Sequence, residues 1–396
     1  MIRFRHLGVC EQIARICDSI GFKYATKIQA KTIPYALKNR DILGYAQTGS
    51  GKTLAFVIPI LQSLLKFQIT FYSFIIVPSR ELAFQVASYI ETIGYLFGIK
   101  IGLLTSGIEH VTQISIIKRC PHIMICTPGR LVEYTEKTNN SFLKNTKKIV
   151  FDEADRLFQN DFDKKFFSIV ENLPKLKQSF LFSATMTINI EKLKKISMSN
   201  PVKIKINKKY KTVSTLMQNY IFMPFKSKNY YLSYICNEFS GCLTMIFVDT
   251  QICAEKIAIL LKVLNFKVAY FHGKLSQDKR AKILRDFKSK KIKILVSTDL
   301  ASRGIDIPDV ELIINYDIPL YTRDYIHRIG RTARAGKTGR VINLVTQYDI
   351  SSYQKIEILL QKKLEEFRCN LKDILFISKL VSSVRLKINY ILRHKL

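Results

Sequence analysis

Residues 41–64 read DILGYAQTGSGKTLAFVIPILQSL, and the order of their parts decides the fold. A short apolar run, a Gly-rich turn and a long apolar helical pattern follow one another. This is the strand–turn–helix setting that a phosphate-binding loop requires. Glycines in such a turn let backbone N–H groups wrap phosphate oxygens at a helix N-terminus, where the helix dipole favours anions. Thr48, Gly49, Ser50 and Gly51 form the expected cradle. Lys52 is placed to reach the β and γ phosphates and Thr53 to ligate Mg²⁺. Ala46 stands where the strict pattern has glycine, a single departure.

Working outward, short apolar runs alternate with amphipathic stretches along most of the chain. FIIVP (74–78), HIMIC (122–126), KIVFDEAD (148–155), SFLFSAT (179–185), MIFVD (245–249), KILVSTD (293–299) and LIINYD (312–317) are rich in β-branched or aromatic residues. Each ends in a polar residue, proline or a thiol, the pattern of parallel strands buried on both faces. Helical periods such as 80–93 and 254–265 lie between them, so the fold class is α/β with crossover connections. The alternation breaks at KIKINKKYKT (203–212), which holds five lysines and no strong apolar period. We therefore expect an N-terminal domain over 1–203, a linker over 204–214 and a C-terminal domain over 215–370. In the remaining 371–396, Ile374, Ile377, Val381, Val384, Ile388 and Ile391 share one helical face among basic residues. That segment is either a helix packed on the second domain or a partner- or RNA-contacting extension.

Net charge is the compositional outlier. Sixty-three Lys+Arg against 31 Asp+Glu leave +32, which points to a polyanionic partner such as nucleic acid, or to a merely Lys-rich composition. Membrane insertion is not expected: Lys66 interrupts the most apolar region, and neither uncharged run reaches the ~20 residues of a spanning helix. The first residues hold no long apolar segment before Glu11, which argues against a secretory leader. The eight cysteines are scattered, without C-x-x-C or zinc spacing, and read as reduced thiols.

A phosphate loop needs a carboxylate at the end of a neighbouring strand. In IVFDEAD, Asp152 is placed to hold Mg²⁺ and Glu153 to orient and deprotonate the attacking water. Hydrolysis also needs positive charge on the γ-phosphate. YIHRIGRTARAG (325–336) carries Arg328, Arg331 and Arg334 three apart, a spacing that would place them on one helical face. They lie beyond the linker from Lys52, so arginines completing the site would require domain closure.

With these motifs assembled, residues 4–365 resemble the DEAD-box RNA helicases. The motifs run in the family's order: GFKYATKIQ (21–29), AQTGSGKT (46–53), PSRELAFQ (78–85), SG (106–107), TPGR (127–130), DEAD (152–155), SAT (183–185), IFV (246–248), HGKLSQDKR (272–280), STDLASRGIDIP (297–308) and HRIGRTAR (327–334). The resemblance implies two tandem RecA-like domains and further roles. Gln29 would read the adenine, with Phe22 stacking on it. Ser183 and Thr185 would couple nucleotide state to domain closure. Asp306 would contact the ribose, Arg331 and Arg334 would be the arginine fingers, and His327 would bond across the domain interface. Arg80, Gly107, Thr127, Gly129 and Arg130 would line the RNA path on the first domain, and Thr298, Asp299 and Arg303 on the second. These contacts grip the sugar–phosphate backbone, giving affinity without sequence readout. Ser106 replaces the first glycine of the usual pair, adding a Cβ where φ could be positive.

FLFSATMT (180–187), NPVKI (200–204), YIFMPFKSKNYYLSYI (220–235) and RVINLVTQYD (340–349) further resemble nucleolar members that act in small-subunit ribosomal RNA maturation. The implied protein is a monomeric nuclear enzyme using ATP and Mg²⁺ on RNA, with possible ribosome-assembly protein cofactors. The alternatives are an ATP-gated RNA clamp without unwinding, or a relative serving mRNA or translation.

Overall fold

The computed structural model describes residues 2–46, 50–138, 141–157, 163–184, 187–206, 216–299, 310–333 and 338–393. They form two compact units divided between Lys208 and Lys209. The first holds strands β1 (Ile42–Tyr45), β2 (Ser73–Ile76), β3 (Ile101–Leu104), β4 (Ile123–Cys126), β5 (Lys148–Phe151), β6 (Gln178–Ser183) and β7 (Val202–Lys205). Their order in the sheet is β3-β4-β2-β5-β6-β1-β7, with every neighbouring pair parallel. The second unit repeats the plan with β8 (Leu216–Phe222), β9 (Thr244–Phe247), β10 (Val268–Phe271), β11 (Ile294–Ser297), β12 (Leu312–Asn315), β13 (Gly339–Val345) and β14 (Glu365–Glu366). The order there is β10-β11-β9-β12-β13-β8-β14, again all parallel. Helices cover both faces of each sheet and split each core into two apolar layers.

All seven runs read as strands are strands. Each is buried along its whole length, which is why their apolar residues run on without alternation. Because all pairs in a sheet are parallel, their C-terminal ends share one edge. In open α/β sheets that edge is where ligands bind. In the first unit it carries the phosphate loop after β1, Arg80 after β2, Gly107 after β3 and Thr127 to Arg130 after β4. Asp152 and Glu153 stand there at the end of β5, and Ser183 at the end of β6.

One boundary differs from expectation. β7 claims Ile204 and Lys205 from the stretch expected to be linker. Ile204 is buried and pairs opposite Gly44, while Lys203 and Lys205 face solvent. A cationic edge strand blunts edge-to-edge pairing, and those lysines masked its period of two. Residues 207–215, the rest of that linker, lie outside the described residues. For the C-terminal segment, the first of its two readings matches the helix Leu371–Arg393. It packs on the helices Lys228–Glu238 and Gln251–Val263 of the second unit, with Ile374 and Val381 buried and Ile377 against the same core. The side chains of Ile388 and Ile391 lie outside the described residues.

Candidate active site

The phosphate loop leaves β1 through Ala46, whose N–H donates to the carbonyl of Ser183 at the end of β6 (3.2 Å). Gln47, Thr48 and Gly49 lie outside the described residues. Gly51 has φ +91°, a left-handed conformation that side chains other than glycine rarely adopt. A Cβ there would stand 2.7 Å from Gln29 Nε2 and 2.9 Å from Thr26 Oγ1. Gln29 is therefore bound to the loop itself: its Nε2 donates to the Gly51 carbonyl at 2.9 Å. Gln29 also closes a capping box with Thr26, accepting the Thr26 N–H at 2.8 Å. The motif glutamine thus fixes both the start of its own helix and the exit of the phosphate loop. Phe22 is half-buried beside the Tyr89 ring, with centroids 6.3 Å apart.

Lys52 opens the helix Lys52–Leu64, with Thr53 next, and its side chain is buried. Its Nζ lies 3.8 Å from Asp152 Oδ1, also buried. β6 separates β1 from β5, a gap of ~10 Å at ordinary strand spacing, which a lysine side chain spans. Burial pushes the Asp152 carboxyl up to about 6, with the Glu153 charge adding to the rise and Lys52 opposing it. Glu153 turns the chain through φ +47° and donates its N–H to Asp152 Oδ1 at 2.9 Å. A non-glycine residue held there costs about 1–2 kcal/mol, strain that concentrates at functional turns. Glu153 is itself buried, with Oε2 at 3.9 Å from the buried Arg156 guanidinium. Arg156 belongs to the site without having been expected there; its signal in the sequence is the spacing of three from Glu153. The site joins a cradle that excludes a Cβ, a buried cation and two buried carboxylates, which suits a polyphosphate with a divalent cation. Thr185 lies outside the described residues, while Ser183 ends β6 fully buried.

On the same sheet edge, Arg80 opens the helix Arg80–Gly94, capped by the Ser79 hydroxyl accepting from Leu82 N–H at 3.3 Å. Gly107 lies under Arg80: at φ +77°, a Cβ would stand 1.8 Å from Arg80 Nη1. The positive φ falls on Gly107 and not on Ser106, so the added Cβ of Ser106 is tolerated. Thr127 and Gly129 are half-buried after β4, as is Arg130. Arg130 Nη1 meets Glu133 Oε2 at 2.5 Å and His110 Nε2 at 2.8 Å.

In the second unit, Thr298 and Asp299 follow β11, and Asp299 does not stand free. Its two oxygens accept from Arg328 Nε (2.6 Å) and Nη2 (3.0 Å), a bidentate pair. Arg328 Nη1 donates to the Asp317 carbonyl at 2.6 Å and Asn315 Oδ1 at 3.3 Å, so this fully buried guanidinium ties together the ends of β11 and β12. Arg328 and Arg331 do not share a helical face. The helix Thr322–Ile329 ends before Arg331, whose N–H returns to the Arg328 carbonyl at 3.1 Å. Arg328 is thereby committed as a structural clasp. His327 and Arg331 are buried. Arg303, Asp306 and Arg334 lie outside the described residues.

Residues 26–193 match the DEAD/DEAH box helicase family, and residues 226–336 match the helicase conserved C-terminal domain. The chain belongs to the DEAD/DEAH-box helicases. It is similar to the ATP-dependent rRNA helicase rrp3 of Emericella nidulans, 42% identical over 379 residues covering 96% of this chain and 82% of that one. It is also similar to the probable ATP-dependent RNA helicase DDX47 of Homo sapiens, 43% identical over 382 residues (96% and 84%). Among solved structures, S. cerevisiae Dbp5 bound to RNA and ADP BeF3 superposes with a TM-score of 0.82 at 28% identity, covering 96% of this chain and 99% of that one. Mss116p bound to ssRNA and AMP-PNP gives 0.82 at 28% identity (93% and 80%). The two helicase domains thus correspond to the two parallel-sheet units.

Proposed function

We propose that this helicase uses ATP to separate short RNA duplexes during ribosomal RNA maturation, gripping the sugar–phosphate backbone without reading sequence. The observation that carries the reading is the buried constellation of Lys52, Asp152 and Glu153 at the C-terminal edge of the first sheet, beside the Gly51 cradle. The ribosomal assignment rests on relatives named as rRNA helicases over nearly the whole chain. A nuclear, nucleolar setting follows from that assignment. Among the described residues, no helix is long and apolar enough to cross a membrane.

In this reading Thr53 and Asp152 hold Mg²⁺, which supplies a positive field over the phosphates when bound. Lys52 exchanges its contact with Asp152 for phosphate oxygens. Glu153 orients a water and accepts its proton, with Arg156 holding the carboxylate in place. Arg80, Gly107, Thr127, Gly129 and Arg130 bind RNA on the first unit, and Thr298 on the second. Arg331 completes the hydrolytic site when the units close around both ligands, so ATP and RNA bind cooperatively. The test compares two variants. Lys52→Ala abolishes nucleotide binding. Glu153→Gln keeps ATP and RNA bound together but lowers hydrolysis by about 10²-fold or more. Parental turnover in Glu153→Gln would show that another group is the base.

A further inference from the structure

Among the described residues, β10 ends one side of the second sheet and pairs with β11 alone, which leaves its other edge open. A cavity of about 320 Å³ lies there. Its walls come from both faces of the sheet. Ile259, from the helix Gln251–Val263, stands on one side, and Ile283, from the helix Gln277–Lys288, on the other. Consecutive β10 residues contribute, Val268 and Tyr270 from the first face and Ala269 from the second. Neighbouring strand residues point to opposite faces, so they line one cavity only where it wraps around the strand's edge. All three are half-exposed, unlike the fully buried β9, β11 and β12.

The rim is cationic. Lys262 stands on the first helix, Lys279 and Lys282 on the second, and all three are exposed. None is in an ion pair among the described residues. An apolar floor, a lysine rim on both sides and an open strand edge are three complementary demands on one ligand. An extended peptide meets all three: its backbone pairs with the strand, an apolar side chain fills the cavity and its carboxylates meet the lysines. A phosphodiester chain would use the lysines but leave the apolar floor and the strand edge unmatched.

We propose that this groove docks an extended, acidic segment of a partner protein that carries apolar side chains in alternation with its acids. The groove is built from residues assigned no role in nucleotide or RNA binding, so the partner would recognise the helicase independently of the RNA path.

The test uses the full chain and a fluorescein-labelled synthetic peptide of about ten residues alternating Leu with Glu. A control peptide replaces every Leu with Ser at equal charge, and a uridine oligonucleotide of equal length serves as the RNA arm. By fluorescence anisotropy, the Leu–Glu peptide should bind at least about tenfold more tightly than the Ser–Glu control, because only it fills the apolar floor. Reversing the rim with Lys262→Glu, Lys279→Glu and Lys282→Glu together should weaken it by about tenfold or more. RNA-stimulated ATP hydrolysis should remain within about twofold of the parent, which also shows that the variant is folded. Failure of the Leu–Glu peptide to bind, equal binding of the two peptides, or unchanged binding by the triple variant would each overturn the proposal. So would displacement of the peptide by the uridine oligonucleotide with a parallel loss of RNA affinity in the triple variant, which would make the groove an RNA surface.

Discussion

Replacing Gly107 with alanine tests the RNA-facing edge at its tightest point. The new Cβ would lie 1.8 Å from Arg80 Nη1 and 2.7 Å from its Cζ. Neither approach is tolerable, so the guanidinium must swing away. The backbone at φ +77° adds about 1–2 kcal/mol of left-handed strain. If Arg80 grips a phosphate, its displacement removes a charge-assisted contact of about 1.5 kcal/mol or more, so RNA affinity falls about tenfold. The slope of log affinity against log salt should shrink by about 0.7, the value for one phosphate on a single strand. Fluorescence anisotropy with labelled single-stranded RNA, titrated at several salt concentrations, measures both. ATP affinity without RNA should be unchanged, since Gly107 is not part of the Gly51–Lys52 cradle. Arg80→Ala should produce the same loss, and the double variant should lose no more than either single one, because both act through one guanidinium. An unchanged salt slope in Gly107→Ala, or additive losses in the double variant, would refute the reasoning.

Asp152 titrates near pH 6, so at lower pH a proton competes with the metal for its oxygens. Affinity for Mg²⁺–nucleotide should be flat above about pH 6 and fall up to about tenfold per unit below it, and Asp152→Asn should remove that dependence. Calorimetric titration across that range checks this; a constant affinity would contradict the assignment of Asp152. Arg328→Ala removes a bidentate partner from the Asp299 carboxylate and a donor from the Asp317 carbonyl, and should destabilise the second unit by about 3–5 kcal/mol. Differential scanning calorimetry of the variant should show a lowered transition for that unit, whereas Arg328→Ala with parental unfolding would remove the clasp.

How much was legible depended on where each residue lies in its sheet. Seven central strands are buried along their whole length, so their apolar character shows as unbroken runs, whereas β13, interrupted by Arg340, and the half-buried β8 do not stand out in that way. Edge strands are half in water. β3, β7 and β10 alternate or are only partly buried, and β7 is masked by Lys203 and Lys205. The helix Leu371–Arg393 showed its apolar face at Ile374, Ile377 and Val381. Which surface covered that face is a tertiary fact.

The same division holds for the site. The roles proposed for Lys52, Asp152 and Glu153 are local to their motifs, so residue type and spacing suggested them, while that of Gln29 came from the family resemblance. Spacing alone placed Arg328 with Arg331 on an anion. The structure instead ties Arg328 to Asp299, 29 residues away in the chain, because a fully buried guanidinium must find carboxylate and carbonyl partners wherever the fold presents them. Pairings of Gly107 with Arg80 and of Gln29 with Gly51 likewise depend on strand ends and turns brought together by parallel sheet order, whereas Arg156 meets Glu153 within one local turn. Sequence by itself determined which groups this helicase can use. Tertiary structure decided which of them are committed to holding the fold, because burial forces each polar group to be satisfied locally before any can be left to meet a ligand.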